Sequence, residues 1–195
     1  YVGDPINAVR IFNEKQVDEL FVLDIDATSE NRYPDFKMIA HLAAECRMPL
    51  CYGGGIKSVD QAMRIFNLGV EKVAISSAAI ENPQLIRDIA KQVGNQSAVV
   101  VLDAKKKMFR DIYEVYTHNG KKPTGKDPVA LARQFEDLGA GEIVINSIDN
   151  DGVMKGYDMG LVEKIRDAVT LPITVIGGAG SAEDIHKLIR KYGII

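Results

Sequence analysis

Glu19-Leu-Phe-Val-Leu-Asp-Ile-Asp26 returns 123 positions later as Glu142-Ile-Val-Ile-Asn-Ser-Ile-Asp149. Each copy is an apolar run of strand length that starts on a carboxylate and ends among polar residues. The same offset, without a gap, aligns Asp4-Pro5 with Asp127-Pro128, Arg10 with Arg133, Phe12 with Phe135 and Asp35 with Asp158. It continues through Pro49 with Pro172, Gly54-Gly55 with Gly177-Gly178, and Ser58 with Ser181. These positions mix helix starts, strand ends and glycine turns, so the repeated unit is a folded half-domain. A period this long exceeds the roughly 20–50 residues of solenoid repeats. It points to a duplicated half of one closed domain.

Strand-length runs alternate with segments of helical period, the pattern of βα units on a parallel sheet. The predicted strands are Leu20–Ile25, Leu50–Tyr52, Val73–Ser76, Ala98–Leu102, Ile143–Ile148 and Ile173–Ile176. They are rich in Val, Ile and Leu with little alternation, as expected of strands covered on both faces. Asp4-Pro5, Asn82-Pro83 and Asp127-Pro128 each place a capping side chain before a proline at the first helical position. Ser58-Val59-Asp60-Gln61 reads as a capping box. Phe36, Ile39, Ala40, Ala43 and Cys46 form one predicted sheet-facing stripe, and Val59, Ala62, Met63 and Phe66 another.

The count is a helix followed by six strand–helix units, whereas two halves of four units need eight strands. The expected fold is therefore a (β/α)8 TIM barrel built from two duplicated half-barrels, without its first strand and last βα unit. Residues 1–195, 46% hydrophobic, can bury one core and are expected to form a single, incomplete domain. Such a piece would leave sheet edges unpaired, an aggregation hazard, and is expected to be poorly soluble or inactive alone.

Several function classes drop out on composition. A net charge of −3 and a longest cationic run of Lys105-Lys106-Lys107 leave no basic face for nucleic acid. Cys46 and Cys51 lie in different predicted elements, and His41, His118 and His186 are isolated, so no metal ligand set is expected. No organic cofactor is indicated. No run is long and apolar enough to span a membrane, and the expected setting is a reducing cytoplasm.

Barrel chemistry gathers at the C-terminal ends of the strands. There this sequence places Asp24 and Asp26, Gly53-Gly54-Gly55, Ser76-Ser77, Asp103 and Lys105, Asn146 to Asp151, and Gly177-Gly178. Glycines let backbone N–H groups approach an anion, and the helix starts at Ser58 and Ser181 add favourable partial charge. Two such turns related by the repeat imply a ligand carrying a phosphate at each end. Asp103 ends the run Ala98-Val-Val-Val-Leu102, at the rim of a low-dielectric core suited to acid–base work. Asp24 reads equally well as a structural group bonded to backbone. The segment Met108–Gly125, with Asp111-Ile-Tyr-Glu-Val-Tyr and the turn Asn119-Gly120, is expected to form a hairpin lid. At the opposite strand ends, Glu19, Lys72 and Glu142 stand on alternate strands and could share one interior layer as a charged gate.

With these residues in view the sequence resembles the cyclase subunit of imidazole glycerol phosphate synthase, the HisF family, along essentially its whole length. The matching motifs include Gly3-Asp4-Pro5, Asp18-Glu-Leu-Phe-Val-Leu-Asp-Ile25, Gly53-Gly-Gly-Ile56, Glu71-Lys-Val73, and Ser77-Ala-Ala79 with Glu81-Asn-Pro83. Further along come Val99-Val-Val-Leu-Asp-Ala-Lys105, Gly139-Ala-Gly-Glu-Ile143, Ser147-Ile-Asp149, Asp151-Gly152, Gly156-Tyr-Asp158 and Gly177-Gly-Ala-Gly180. The resemblance implies a bis-phosphorylated ribonucleotide substrate and ammonia supplied by a glutaminase partner through a gate at the barrel bottom. It implies that Asp103 is catalytic and that Asp24 and Asp151 are mouth carboxylates. It also implies that Gly55, Ser76, Ser77, Asn146, Gly177 and Gly178 bind substrate or phosphate, and that Glu19, Lys72 and Glu142 gate ammonia.

The chain departs from the cyclase pattern in places. Ser76 stands where the cyclase usually has asparagine, and Asn146 where it usually has threonine. The family's other catalytic aspartate and its gate arginine belong to a first strand not found here. The stretches Tyr1–Glu14, Cys51–Ile56 and Glu114–Lys122 look closer to a paralogous branch associated with acetamidino modification of sugars in surface-polysaccharide synthesis. A phosphoribosyl isomerase of the related barrel family, which shares the duplicated phosphate turns but needs no ammonia gate, is a further alternative.

Overall fold

The computed structural model describes residues 3–108 and 112–193. Tyr1 and Val2 of the paralogue-like stretch, and Phe109, Arg110 and Asp111 of the hairpin segment, lie outside the described residues. The chain divides into two compact units, residues 1–98 and 99–195.

The first unit runs α1 (Pro5–Lys15), β1 (Leu20–Leu23), α2 (Phe36–Glu45), β2 (Leu50–Gly53), α3 (Val59–Phe66), β3 (Lys72–Ile75), α4 (Ser77–Glu81) and α5 (Gln84–Val93), with a short 3-10 turn at Asn95–Ser97. Within it β1, β2 and β3 lie parallel in that order. The second comprises β4 (Ala98–Lys106), β5 (Tyr113–Thr117), β6 (Lys122–Pro123), α6 (Pro128–Asp137), β7 (Glu142–Ser147), α7 (Met159–Arg166), β8 (Ile173–Ile176) and α8 (Ala182–Tyr192). Here β4, β7 and β8 are the parallel strands. Each unit is a half of the (β/α)8 architecture, and the described chain has that fold in part, with six barrel strands.

The repeat is exact down to single hydrogen bonds. Leu20 pairs with Leu50 in the first half, and Ile143 with Ile173 in the second. The N–H of Leu20 donates to the Pro49 carbonyl at 3.0 Å, and that of Ile143 to the Pro172 carbonyl at 3.1 Å. The N–H of Arg47 donates to Asn13 Oδ1 at 3.0 Å, and its counterpart, the N–H of Thr170, donates to Glu136 Oε1 at 2.8 Å. Helix starts repeat likewise: Asp4 and Asp127 cap α1 and α6, and Asp35 and Asp158 cap α2 and α7.

Some boundaries differ from expectation. Asn82 does not cap α5: its N–H closes α4 onto the Ala78 carbonyl, which moves Pro83 into the capping position. At Ser58 only half a capping box forms, since Gln61 Oε1 accepts from the N–H of Lys57 instead of Ser58. The complete box is its repeat, Ser181 with Asp184, where the Ser181 hydroxyl holds the Asp184 carboxyl below its usual range. The buried positions of α2 are Ile39 and Leu42, while Phe36 is half-exposed beneath the Arg64 guanidinium at 3.8 Å. In α3 they are Ala62 and Ile65.

Strand β4 runs on to Lys106, because beyond Leu102 it pairs antiparallel with β5, Asp103 facing Tyr116. The predicted hairpin is present. His118, Asn119 and Gly120 have φ of 54°, 57° and 70°, and β6 returns against β5. The Tyr113 hydroxyl then anchors β5 by donating to Asp158 Oδ1, the cap of α7, at 2.9 Å.

Each strand-end glycine turn is squeezed against the neighbouring strand. A Cβ on Gly54 (φ 120°) would lie 2.5 Å from the Asp24 carbonyl oxygen, and one on Gly177 (φ 85°) would lie 2.8 Å from that of Ser147. Asp24 and Ser147 are themselves repeat partners. A side chain there would meet both unfavourable φ and backbone collision.

Gly54→Ala and Gly177→Ala are each expected to cost about 2 kcal/mol or more in urea unfolding. Gly125→Ala, at φ 72° with open space around it, should cost only ~1 kcal/mol.

Acid should act unequally on the two halves. Hydrogen bonds from the Thr170 hydroxyl and N–H hold the Glu136 carboxyl below its usual range. The stability this bond adds is present above the unfolded value of about 4.3 and is lost as pH falls through the lower folded one. Asn13 makes the matching bond without a titrating group. Hydrogen-exchange protection of the Thr170 amide should therefore fall on acidification while that of Arg47 holds, and Glu136→Gln should remove the difference. Equal loss at both amides would contradict this.

Candidate functional site

In the first half the C-terminal strand ends carry the Gly53–Gly55 turn, Asp24, Ser76 and Ser77. A Cβ on Gly55 would stand 2.8 Å from the Arg32 carbonyl oxygen, so the turn is backed by the loop that follows β1. Asp24 organises that loop. Its Oδ1 accepts from the N–H groups of Asp26 and Ala27 at 3.2 and 3.0 Å and from Arg32 Nη2 at 3.3 Å, while Oδ2 accepts from Arg32 Nη1 at 3.1 Å. Arg32 also donates through Nε to Glu30. The Asp24 bond, then the Glu30 bond, raise the guanidinium further above its already high value. Of the two readings of Asp24, backbone bonding is what this geometry contains, with an arginine clamp added to it. Ser76 precedes α4 at the end of β3 without capping it through its side chain, and Ser77 is buried.

In the second half Asp103 and Asn146 are neighbours across β4 and β7. Asn146 Nδ2 donates to Asp103 Oδ1 at 2.9 Å, which orients a half-buried carboxylate. The amide oxygen of Asn146 is buried with no hydrogen bond, and a Cβ on Gly177 would come within 2.9 Å of it. Gly178 lies directly against the Gly156 carbonyl and accepts from the Gly156 N–H at 2.8 Å. Asp151 is exposed in the turn after β7, its N–H bonded to the Ser147 carbonyl at 3.0 Å. Lys105 stands 3.8 Å from Asp149 at the end of the same strand pair.

The predicted gate residues occupy the other ends of the strands. Lys72 Nζ lies 2.9 Å from both carboxylate oxygens of Glu19, with the hydrogen bond going to Oε2. Both side chains are about one-quarter exposed (25% and 26%), so this pair is shielded from water more than a surface ion pair. Glu142, the repeat partner of Glu19, is buried in the second half and accepts from the Thr174 hydroxyl at 2.6 Å. The structure thus joins Glu19 to Lys72, and Asp103 to Asn146.

Sequence reading missed Arg32, Glu30, Thr174 and the Tyr113–Asp158 bond. Arg32 meets Asp24 through a folded loop with no periodic signal. Thr174 could have been found by asking what the repeat places beside Glu142. Among the described residues no group of three or more His, Cys, Asp or Glu side chains could hold a metal ion, and no helix is long and apolar enough to cross a membrane.

What these arrangements can do is bounded by their chemistry: an oriented carboxylate for proton transfer, two glycine turns for anions, and a shielded lysine–glutamate pair. Comparison with known proteins agrees with the motifs. The family model for histidine biosynthesis proteins matches residues 1–194. A Leptospira interrogans protein named putative imidazole glycerol phosphate synthase subunit HisF is 55% identical over 195 residues, all of this chain and 77% of that protein. A Vibrio vulnificus protein with the same putative name, as subunit hisF3, is 54% identical over all of this chain and 75% of its own length. An imidazole glycerol phosphate synthase subunit HisF from Petrotoga mobilis is 43% identical over 96% of this chain and 75% of that protein. With its duplicated strand–turn–helix halves and these matches, the chain belongs to the HisF group of the histidine biosynthesis protein family.

Proposed function

We propose that this chain is the ammonia-using, cyclase-type lyase subunit of an imidazole glycerol phosphate synthase, working in the cytoplasm with a glutaminase partner. The observation that carries the reading is the carboxylate of Asp103, fixed by Asn146 at the C-terminal end of β4. A general acid–base needs its oxygen aimed before the substrate arrives, and an amide donor on Oδ1 supplies that aim. The substrate is a bis-phosphorylated ribonucleotide. Each half contributes one phosphate turn, Gly53–Gly55 with Ser76 and Ser77 in the first, and Gly177-Gly178 with Asn146 and Asp151 in the second. Asp24 supports its turn through the loop after β1. Glu19, Lys72 and Glu142 gate the passage of ammonia toward the reacting end.

A second reading is favoured by the pattern of identities. The chain is 54–55% identical to relatives whose names carry "putative" and 43% identical to one named without it. A paralogue that delivers ammonia to a sugar acceptor for acetamidino modification would keep the gate and change the acceptor.

One assay separates the two. The purified full-length protein, given ammonium salts and the bis-phosphorylated ribonucleotide of the histidine pathway, should release imidazole glycerol phosphate. Asp103→Asn should lower that rate by about 10²–10⁴-fold, the usual worth of a positioned general acid–base. No turnover by a folded protein would sink the histidine-pathway cyclase version and leave the paralogue. Turnover unaffected by Asp103→Asn would remove Asp103 from the chemistry.

A further inference from the structure

The two glycine turns are built alike but do not stand beside like charges. Asp24 corresponds to Ser147 in the repeat, Glu30 to Val153 and Arg32 to Lys155. At the second turn a carboxylate, Asp184, accepts from the N–H groups of Gly180 and Ser181, whereas at the first the carboxylate belongs to the strand that walls the turn. A Cβ on Gly54 would lie 2.8 Å from Asp24 Cβ, so the Asp24 side chain springs from the wall of the turn itself. A bare carboxylate at that point would oppose a phosphate through most of its approach, since like charges a few ångströms apart repel by several kcal/mol at protein-like dielectric. The clamp removes that opposition. Arg32 grips both oxygens of Asp24, with Nη1 at 3.1 Å and Nη2 at 3.3 Å, and its Nε reaches Glu30. The same residue's carbonyl oxygen backs Gly55, so charge and turn geometry are set by one side chain and its own backbone.

We infer that Arg32 is a positioning residue whose task is to neutralise Asp24, so that the Gly53–Gly55 turn accepts a phosphate despite the carboxylate in its wall. This rests on the reading of that turn as a phosphate site. Arg32 is assigned no contact with the ligand. Its guanidinium is already spent on two carboxylates, and a lysine, which cannot hold both oxygens of Asp24 in a planar fork, would replace it only in part. Loss of Arg32 leaves the charges of Asp24 and Glu30 uncompensated, whereas loss of Arg32 and Asp24 together removes one charge of each sign and keeps the parent's net charge.

The test is a charge cycle read by binding of inorganic phosphate to the purified protein, by titration calorimetry at low ionic strength, with thermal unfolding recorded for every variant. To confine the reading to the first turn, the titration is repeated by NMR and the affinity is taken from the amide signals of Gly54 and Gly55. Arg32→Gln is expected to weaken phosphate binding about ten-fold and Arg32→Lys by less. Asp24→Asn should bind at least as tightly as the parent, and Asp24→Asn combined with Arg32→Gln should return to within about three-fold of it. A double variant as weak as Arg32→Gln alone would overturn the inference, because Arg32 would then be contacting the ligand or holding the loop. Unchanged binding in Arg32→Gln would overturn it as well, with the phosphate turn left standing. If the parent binds no phosphate at all, the reading of the turn fails and the inference falls with it. Should Arg32→Gln fail to fold, the comparison of the parent with the double variant decides: a loss larger than three-fold between them rejects pure neutralisation.

Discussion

The close approach of a glycine at one strand end to the carbonyl of the strand beside it governs the rest of the structure. Gly54 meets Asp24 and Gly177 meets Ser147 at distances no side chain tolerates. This contact fixes how far β2 and β8 extend and where α3 and α8 begin. It also brings the loop after β1, and the turn after β7, up against the glycine turns. The same sterics force glycine at these positions.

Around that shared frame the halves have diverged in their polar groups more than in their backbone. Asn13 and Glu136 make one bond with different chemistry. Glu19 takes a lysine where Glu142 takes a threonine hydroxyl. Asp35 caps α2 with two N–H groups, whereas Asp158 caps α7 with one and turns the same oxygen toward Tyr113 of the hairpin. The hairpin is thus tied into the second half through a group inherited from the duplicated plan.

Much of this was legible in the sequence where the signal is local. Ile173–Ile176 was bounded correctly because apolar residues end abruptly at Pro172 and Gly177. Asp4 and Asp127 announced their helices through the following proline. The reading failed where one residue serves two neighbours, as Asn82 does between α4 and α5. It failed again where hydrophobicity stops before pairing does, as in the solvated end of β4 at Lys105 and Lys106. Asp103 could be singled out from its position, but its partner Asn146 is 43 residues away and depends on strand register. Arg32 was hidden for the same reason, since nothing in a loop's composition reveals which carboxylate it will grip.

The identical register of the two halves also has a kinetic side. β1 and β8 are as well matched in apolar character as β1 and β2, so a refolding chain could pair Leu20 with Ile173 instead of Leu50. Chain connectivity discriminates between them. Closing a loop from residue 20 to 173 instead of to 50 costs about 1.4 kcal/mol more in entropy, roughly a tenfold bias toward the local partner. That is a modest margin for a duplicated chain, and misassembly is the characteristic failure of repeat proteins. The side chains of Asn13 and Glu136 do not widen it, since either can accept from the N–H of Arg47 or of Thr170. The order of the strands along the chain therefore carries the choice between like partners.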